Sequence, residues 1–91
     1  MAFLKPSTTS TSLQVIAREP FHIHYEGLAQ VVSASNEVGP FDVLPGHADF
    51  FSVLVPCEVI IDKGSGEPVK FDIHNGIIAV RDDQVMLFVN M

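Results

Sequence analysis

From Leu13 onward the chain is a succession of short runs in which apolar and polar residues alternate, each cut off by Gly, Pro, Asn or Asp. A period of two is the pattern of a half-buried strand, because successive side chains point to opposite faces. Phe21-His22-Ile23-His24-Tyr25 places three large apolar residues on one face and two histidines on the other. Val69-Lys70-Phe71-Asp72-Ile73-His74 repeats that arrangement, and Gln84-Val85-Met86-Leu87-Phe88-Val89 is apolar on both faces, as in a covered strand. Further strands are predicted over Leu13–Arg18, Leu28–Ser35, Phe41–Leu44, Ser52–Val55, Glu58–Lys63 and Ile77–Arg81. No window carries a helical period of 3.6. Eight or more short strands at this spacing predict an all-β fold, an antiparallel sandwich or barrel.

Turn chemistry falls between the runs. Val38-Gly39-Pro40, Pro45-Gly46, Lys63-Gly64-Ser65-Gly66, Asn75-Gly76 and Asp82-Asp83 are all punctuators. Asn75-Gly76 is the strongest tight-hairpin signal, since both residues tolerate positive φ. Residues 1–12, with six consecutive hydroxyl side chains from Ser7 to Ser12, read as a flexible leader, leaving 13–91 as one domain.

Composition narrows the function classes. With 5 Lys and Arg against 11 Asp and Glu, the net charge is −6. Lys5, Arg18, Lys63, Lys70 and Arg81 form no cluster, so neither a nucleic-acid backbone nor an anionic lipid surface is an expected partner. Hydrophobic residues reach 47% and charged residues only 18%, which calls for a packed core. No apolar run is long enough to span a bilayer as a helix. Cys57 is the one cysteine, so no internal disulfide forms, and a reducing compartment is expected.

Groups able to do chemistry are few. His22 and His24 share a strand at i, i+2, a spacing seen in two-histidine metal sites, and folding would have to bring His47 and His74 to them. The competing expectation is a solvated polar strand face. Asp82-Asp83 reads as a turn rather than a general acid–base pair. No catalytic residue, cofactor or metal ligand set is assigned.

The most specific segment is Gly39-Pro40-Phe41-Asp42-Val43-Leu44-Pro45-Gly46-His47-Ala48-Asp49-Phe50-Phe51. Phe41 and Val43 face one way, Pro45-Gly46 breaks the strand, His47 caps the turn, and Phe51, Val53 and Val55 are expected to resume the core. This segment resembles the Gly-x-Phe-Gly-(Ile/Val)-Leu-Pro-Gly-His-Ala-Pro motif of the ε subunit family of F-type ATP synthases (δ in mitochondria). Leu13-Gln14-Val15, Val31-Val32, Phe71–Val80 and Val85–Val89 look like strands of the same family, so the resemblance runs from about Leu13 to the end.

The resemblance implies a two-layer antiparallel β-sandwich, here without the C-terminal helical hairpin that in the family inhibits ATP hydrolysis. It implies a non-catalytic central-stalk subunit that packs on the γ subunit and rests on the c-ring loops. Ring rotation would thereby be coupled to γ during proton-driven ATP synthesis. The expected location is the cytoplasmic face of the energy-transducing membrane, held there only through the complex. An exposed apolar patch is expected, with a homodimer as its outlet in isolation. By resemblance the ring side comprises Glu37, Gly39, Pro40, Phe41, Asp42, Leu44, Pro45, Gly46, His47 and Asp49. Family members often carry an acid where Pro40 stands; Glu37, Asp42 or Asp49 is expected to substitute. Asp42 also replaces a family Gly, and Asp49 a Pro. The rival expectations are a stand-alone β-sandwich that binds another ligand or partner, and a small metal enzyme built on the four histidines.

Overall fold

The computed structural model describes residues 12–91. The expected leader lies outside the described residues apart from Ser12. Nine strands follow: β1 (Leu13–Glu19), β2 (His22–Ala29), β3 (Val31–Asn36), β4 (Gly39–Val43), β5 (Phe50–Leu54), β6 (Cys57–Asp62), β7 (Val69–Ile73), β8 (Gly76–Arg81) and β9 (Gln84–Val89). They form a five-stranded sheet in the order β2-β1-β9-β8-β5 and a four-stranded sheet in the order β4-β3-β6-β7. Between them lies a core of Leu, Ile, Val and Ala, including Leu13, Val15, Val32, Val43, Val59, Ile61, Ile78, Val85, Leu87 and Val89. The two-layer sandwich is the one expected. Its ladders are antiparallel except that β1 runs parallel to β9. Both are interior strands brought together across most of the chain, and no hairpin joins them to dictate opposite directions.

Three local expectations are corrected. The predicted strand Leu28–Ser35 is two strands. The chain turns from one sheet to the other at Gln30, whose N–H donates to the Asp62 carbonyl at 2.7 Å. Asn75-Gly76 closes no hairpin, because β7 and β8 belong to different sheets. Gly76 is there for close approach: a Cβ would lie 2.9 Å from Val89 Cγ1 and 3.1 Å from the Phe88 carbonyl oxygen. Asn75 instead accepts from Asn90 N–H at 2.9 Å and from Met91 N–H at 3.2 Å. The tight two-residue hairpin is Asp82-Asp83, with φ of 50° and 62°, joining Arg81 to its partner Gln84. Aspartate tolerates this left-handed step, and two in succession match the twist of a hairpin.

The third correction concerns the start of β2. Ala17 pairs with Tyr25 but Arg18 pairs with Ile23, so His24 is the extra residue of a bulge. A bulge re-aims the side chains beyond it. Tyr25 stays against the core, while Ile23 is exposed and Phe21 fully so. His24 is half-buried instead.

Candidate functional site

The motif segment begins on edge strand β4, where the missing N–H of Pro40 is tolerated. Phe41 packs against the core and Val43 is buried in it. Asp42 keeps ordinary strand geometry and accepts from the Ser33 hydroxyl at 2.6 Å. After β4, Leu44-Pro45-Gly46-His47 forms a turn closed by His47 N–H donating to the Leu44 carbonyl at 3.1 Å. Gly46 has φ of 84°, which makes this a type II turn with Pro and Gly in their preferred places. The loop is tied to the β8–β9 turn: Gly46 N–H donates to Asp83 Oδ1 at 2.7 Å, and Asp82 N–H to Asp49 Oδ1 at 3.0 Å. The His47 ring lies 4.9 Å from that of Phe50, which meets Phe41 edge-on at 5.6 Å. Asp83→Ala is expected to cost about 1–2 kcal/mol, since it loses both the acceptor and the residue's tolerance of positive φ. Asp83→Asn should stay near wild type, both variants being read by urea titration.

At the other end of β4, Asn36 Oδ1 accepts from Val38 N–H at 2.9 Å and Gly39 N–H at 3.3 Å, an Asx turn. Asn36 Nδ2 donates to Ser52 Oγ at 3.1 Å. The tip therefore stands out, with Glu37 exposed and Val38 at 96% of full exposure. A cleft of about 440 Å³ lies beside it, lined by Asn36, Glu37, Val38, Ser52, Val53 and Val55.

Eight of the ten residues expected on the ring side thus fall into two groups, with Phe41 and Asp42 between them in β4. Glu37, Gly39 and Pro40 are at one end of β4; Leu44, Pro45, Gly46, His47 and Asp49 are at the other. Four strand steps of about 3.3 Å separate them, roughly 13 Å.

The sequence does not say where the expected exposed apolar patch lies. Phe51 and Val53 do not resume the core: β5 turns Phe50, Ser52 and Leu54 inward, leaving Phe51 64% and Val53 63% exposed. The register is fixed by pairing Phe50 with Val80 and Leu54 with Gly76, both inward positions. Pairing aligns Ile16, Met86, Ala79 and Phe51 in one row and Arg18, Phe88, Ile77 and Val53 in the next, all on the outer face of the five-stranded sheet. That face is apolar over most of two rows. The outer face of the other sheet is polar, with Ser33, Ser35, Asp42, Glu58, Lys70 and Asp72. The signal was β9 itself, apolar on both sides: its inner face fills the core and its outer face has no covering layer among the described residues.

Comparison with known proteins decides the family. Residues 11–91 match the family model described as "ATP synthase, Delta/Epsilon chain, beta-sandwich domain". The chain belongs to this delta/epsilon family. Among curated relatives, the ATP synthase epsilon chain of Xanthomonas euvesicatoria pv. vesicatoria is 31% identical over 84 residues, covering 92% of this chain and 57% of the relative. That of Xanthomonas campestris pv. campestris (strain B100) is 33% identical over 66 residues, covering 72% and 47%. The chain spans about half the length of these relatives. Its fold matches a chain in the Euglena gracilis mitochondrial ATP synthase (OSCP/F1/c-ring) with a TM-score of 0.82 at 15% identity, covering 90% of this chain and 52% of that one. It also matches a chain in the central stalk/c-ring structure of the Tetrahymena thermophila mitochondrial ATP synthase, with a TM-score of 0.74 at 18% identity, covering 85% and 62%.

The delta/epsilon sandwich does not bring the four histidines together. His22 and His24 touch edge-to-face at 4.7 Å, His47 sits in the β4–β5 loop and His74 in the β7–β8 corner. Among the described residues, no three His, Cys, Asp or Glu side chains gather as metal ligands. Cys57 starts β6 as a half-buried free thiol. His24 has a structural partner: its Nε2 lies 2.6 Å from Glu19 Oε2, which also accepts from Asn90 Nδ2 at 3.2 Å. The hydrogen bond from His24, then that from Asn90, holds the Glu19 carboxyl below its ordinary range. A lowered folded-state value means that this contribution to stability is present above the unfolded glutamate pKa of about 4.3 and is lost as pH falls through the folded value.

Proposed function

We propose that this chain is a non-catalytic rotor subunit of an F-type ATP synthase, coupling c-ring rotation to the γ subunit during proton-driven ATP synthesis. It sits peripherally at the cytoplasmic face of the energy-transducing membrane, held through the complex. The outer face of the five-stranded sheet carries this reading. A strip of Ile16, Phe51, Val53, Ile77, Met86 and Phe88 on one side of a small acidic domain is a docking surface, since lone soluble domains rarely leave such a strip bare. We assign it to γ. A rigid sandwich suits torque transfer, which needs complementary surfaces and a body that does not deform.

The ring contact is assigned to the end bearing Glu37, Gly39 and Pro40. There Val38 stands exposed beside a cleft, and Glu37, itself exposed, lines that cleft and supplies an acid for a basic ring loop. Asp42 and Asp49 are less suited to replace the family acid, because their carboxylates already accept internal bonds. Leu44, Pro45, Gly46 and His47 shape the far loop and hold β5 in register.

The test is copurification with γ from the same organism, followed by binding of the pair to the solubilised c-ring. Glu37→Lys should weaken ring binding about tenfold and leave γ binding unchanged. Unchanged ring binding would move the contact elsewhere on the sandwich. Failure of the wild-type chain to copurify with γ would return it to the class of stand-alone binding modules.

A further inference from the structure

We propose that Arg18 is the charged anchor of the docking face, and that γ meets it with a carboxylate set in an apolar surface. The inference rests on the assignment of the five-stranded sheet to γ and names the chemistry that γ must bring to it. Arg18 stands in the outward row of Phe88, Ile77 and Val53. Its neighbour on the other side is decided by the bulge. With Ala17 opposite Tyr25, an unbroken register would set His24 against Arg18; the extra residue sets Ile23 there instead. Ile23 is 47% exposed and carries the apolar row to the edge of the sheet. Five strands about 4.8 Å apart make that row about 19 Å wide. Arg18 is therefore inside the strip, one strand in from edge strand β2, and a partner that covers the row covers Arg18 with it.

Arg18 is half-buried, yet among the described residues no ion pair or side-chain hydrogen bond occupies its guanidinium. The face as a whole has the same bias. Both arginines of a chain with net charge −6 point outward here, Arg18 and Arg81, against one carboxylate, Glu26. The outer face of the four-stranded sheet has the opposite balance, with Asp42, Glu58, Asp62 and Asp72 against Lys70. Covering an arginine without a partner is unfavourable, because its charge loses water and its five N–H donors lose their acceptors. A purely apolar partner surface is penalised at this point, whereas a carboxylate takes two parallel N–H bonds from the guanidinium. The apolar rows thus supply area, and Arg18 supplies register and discrimination. Arg81, exposed at the end of β8 opposite Gln84, lies beyond the two apolar rows and contributes mainly to encounter.

Titration of labelled γ from the same organism against Arg18→Met tests this. Methionine keeps a long unbranched stem and removes the charge. With a γ carboxylate opposite, that acid is left buried and unpaired, and binding should weaken at least about 30-fold, mostly through faster dissociation. Against a purely apolar γ surface the same substitution would leave binding unchanged or tighten it, which overturns the proposal. Arg18→Lys keeps the charge but loses the two-pronged geometry, and should weaken binding about three- to tenfold. It carries the test if the methionine variant folds poorly, and wild-type affinity in it overturns the proposal as well. Arg81→Met should change affinity by less than about threefold; a loss equal to that of Arg18→Met overturns the choice of Arg18 as anchor. The γ assignment is judged separately. If Phe51→Glu with Val53→Glu abolishes binding while Arg18→Met does not, γ docks on this face without an acid, and only the present inference falls. If the wild-type chain does not bind γ, the assignment falls and the inference with it.

Discussion

Replacing Leu87 by alanine is expected to destabilise the domain by about 3 kcal/mol, within the range for a fully buried leucine. Leu87 has no exposed surface and lies at the middle of β9, a strand flanked on both sides by others. Its inner neighbours Val85 and Val89 are equally buried, and the opposing sheet packs on it through a core of branched side chains. Such a core relaxes little into a cavity, so the loss includes both transfer energy and lost dispersion. At about 4–8 °C per kcal/mol for a domain this size, the melting temperature should fall by about 12–24 °C. Met86 is adjacent in sequence but outward and 38% exposed. Met86→Ala should cost less than about 1 kcal/mol. Calorimetry of the two variants reads the two faces of one strand; equal losses would mean that the outer face is packed as tightly as the inner.

The difference between those faces also marks how far the sequence reveals this molecule. Alternation located the strands within a few residues, because burial on one side of a pleated ribbon writes a period of two into the chain. It could not say which side of β5 is inside. Phe51, Val53 and Val55 are all apolar while Ser52 interrupts the face of Phe50 and Leu54, and a rule that buries the greasier face puts the strand in the wrong frame. The actual frame is imposed at a distance, by the Pro45-Gly46 turn and by Asp49 and Asp83 joining that loop to the next hairpin. The same holds for Asn75-Gly76. Locally it reads as a hairpin, yet Gly76 is required by the approach of Val89, thirteen residues later in the chain. The parallel pairing of β1 with β9 and the bulge at His24 are likewise products of tertiary contact rather than of local preference. The Leu-Pro-Gly-His-Ala segment was legible as a motif. That eight of its ten associated positions stand at two separate ends of a strand was not legible.

The frame that misled the sequence reading is what makes the proposed γ surface testable. Phe51→Glu combined with Val53→Glu is expected to weaken γ binding at least about 100-fold while moving the melting temperature by less than about 2 °C. Both side chains are nearly two-thirds exposed, so neither contributes much to the folded monomer, and charges there remain solvated. In the complex both would be buried. Each apolar side chain then contributes about 1.5–3 kcal/mol on leaving water. A carboxylate in its place must instead be desolvated without a partner, which costs more than the lost contact alone. The two effects act in the same direction, so a 100-fold loss, about 2.7 kcal/mol, is a lower expectation. Asp72→Lys, on the polar outer face of the four-stranded sheet, is a matched control that alters charge without touching the apolar strip. Titration of labelled γ with the three proteins separates the possibilities. Loss confined to the Phe51 and Val53 pair places γ on the five-stranded sheet; loss with Asp72→Lys alone would place it on the opposite face and remove the apolar strip from the mechanism.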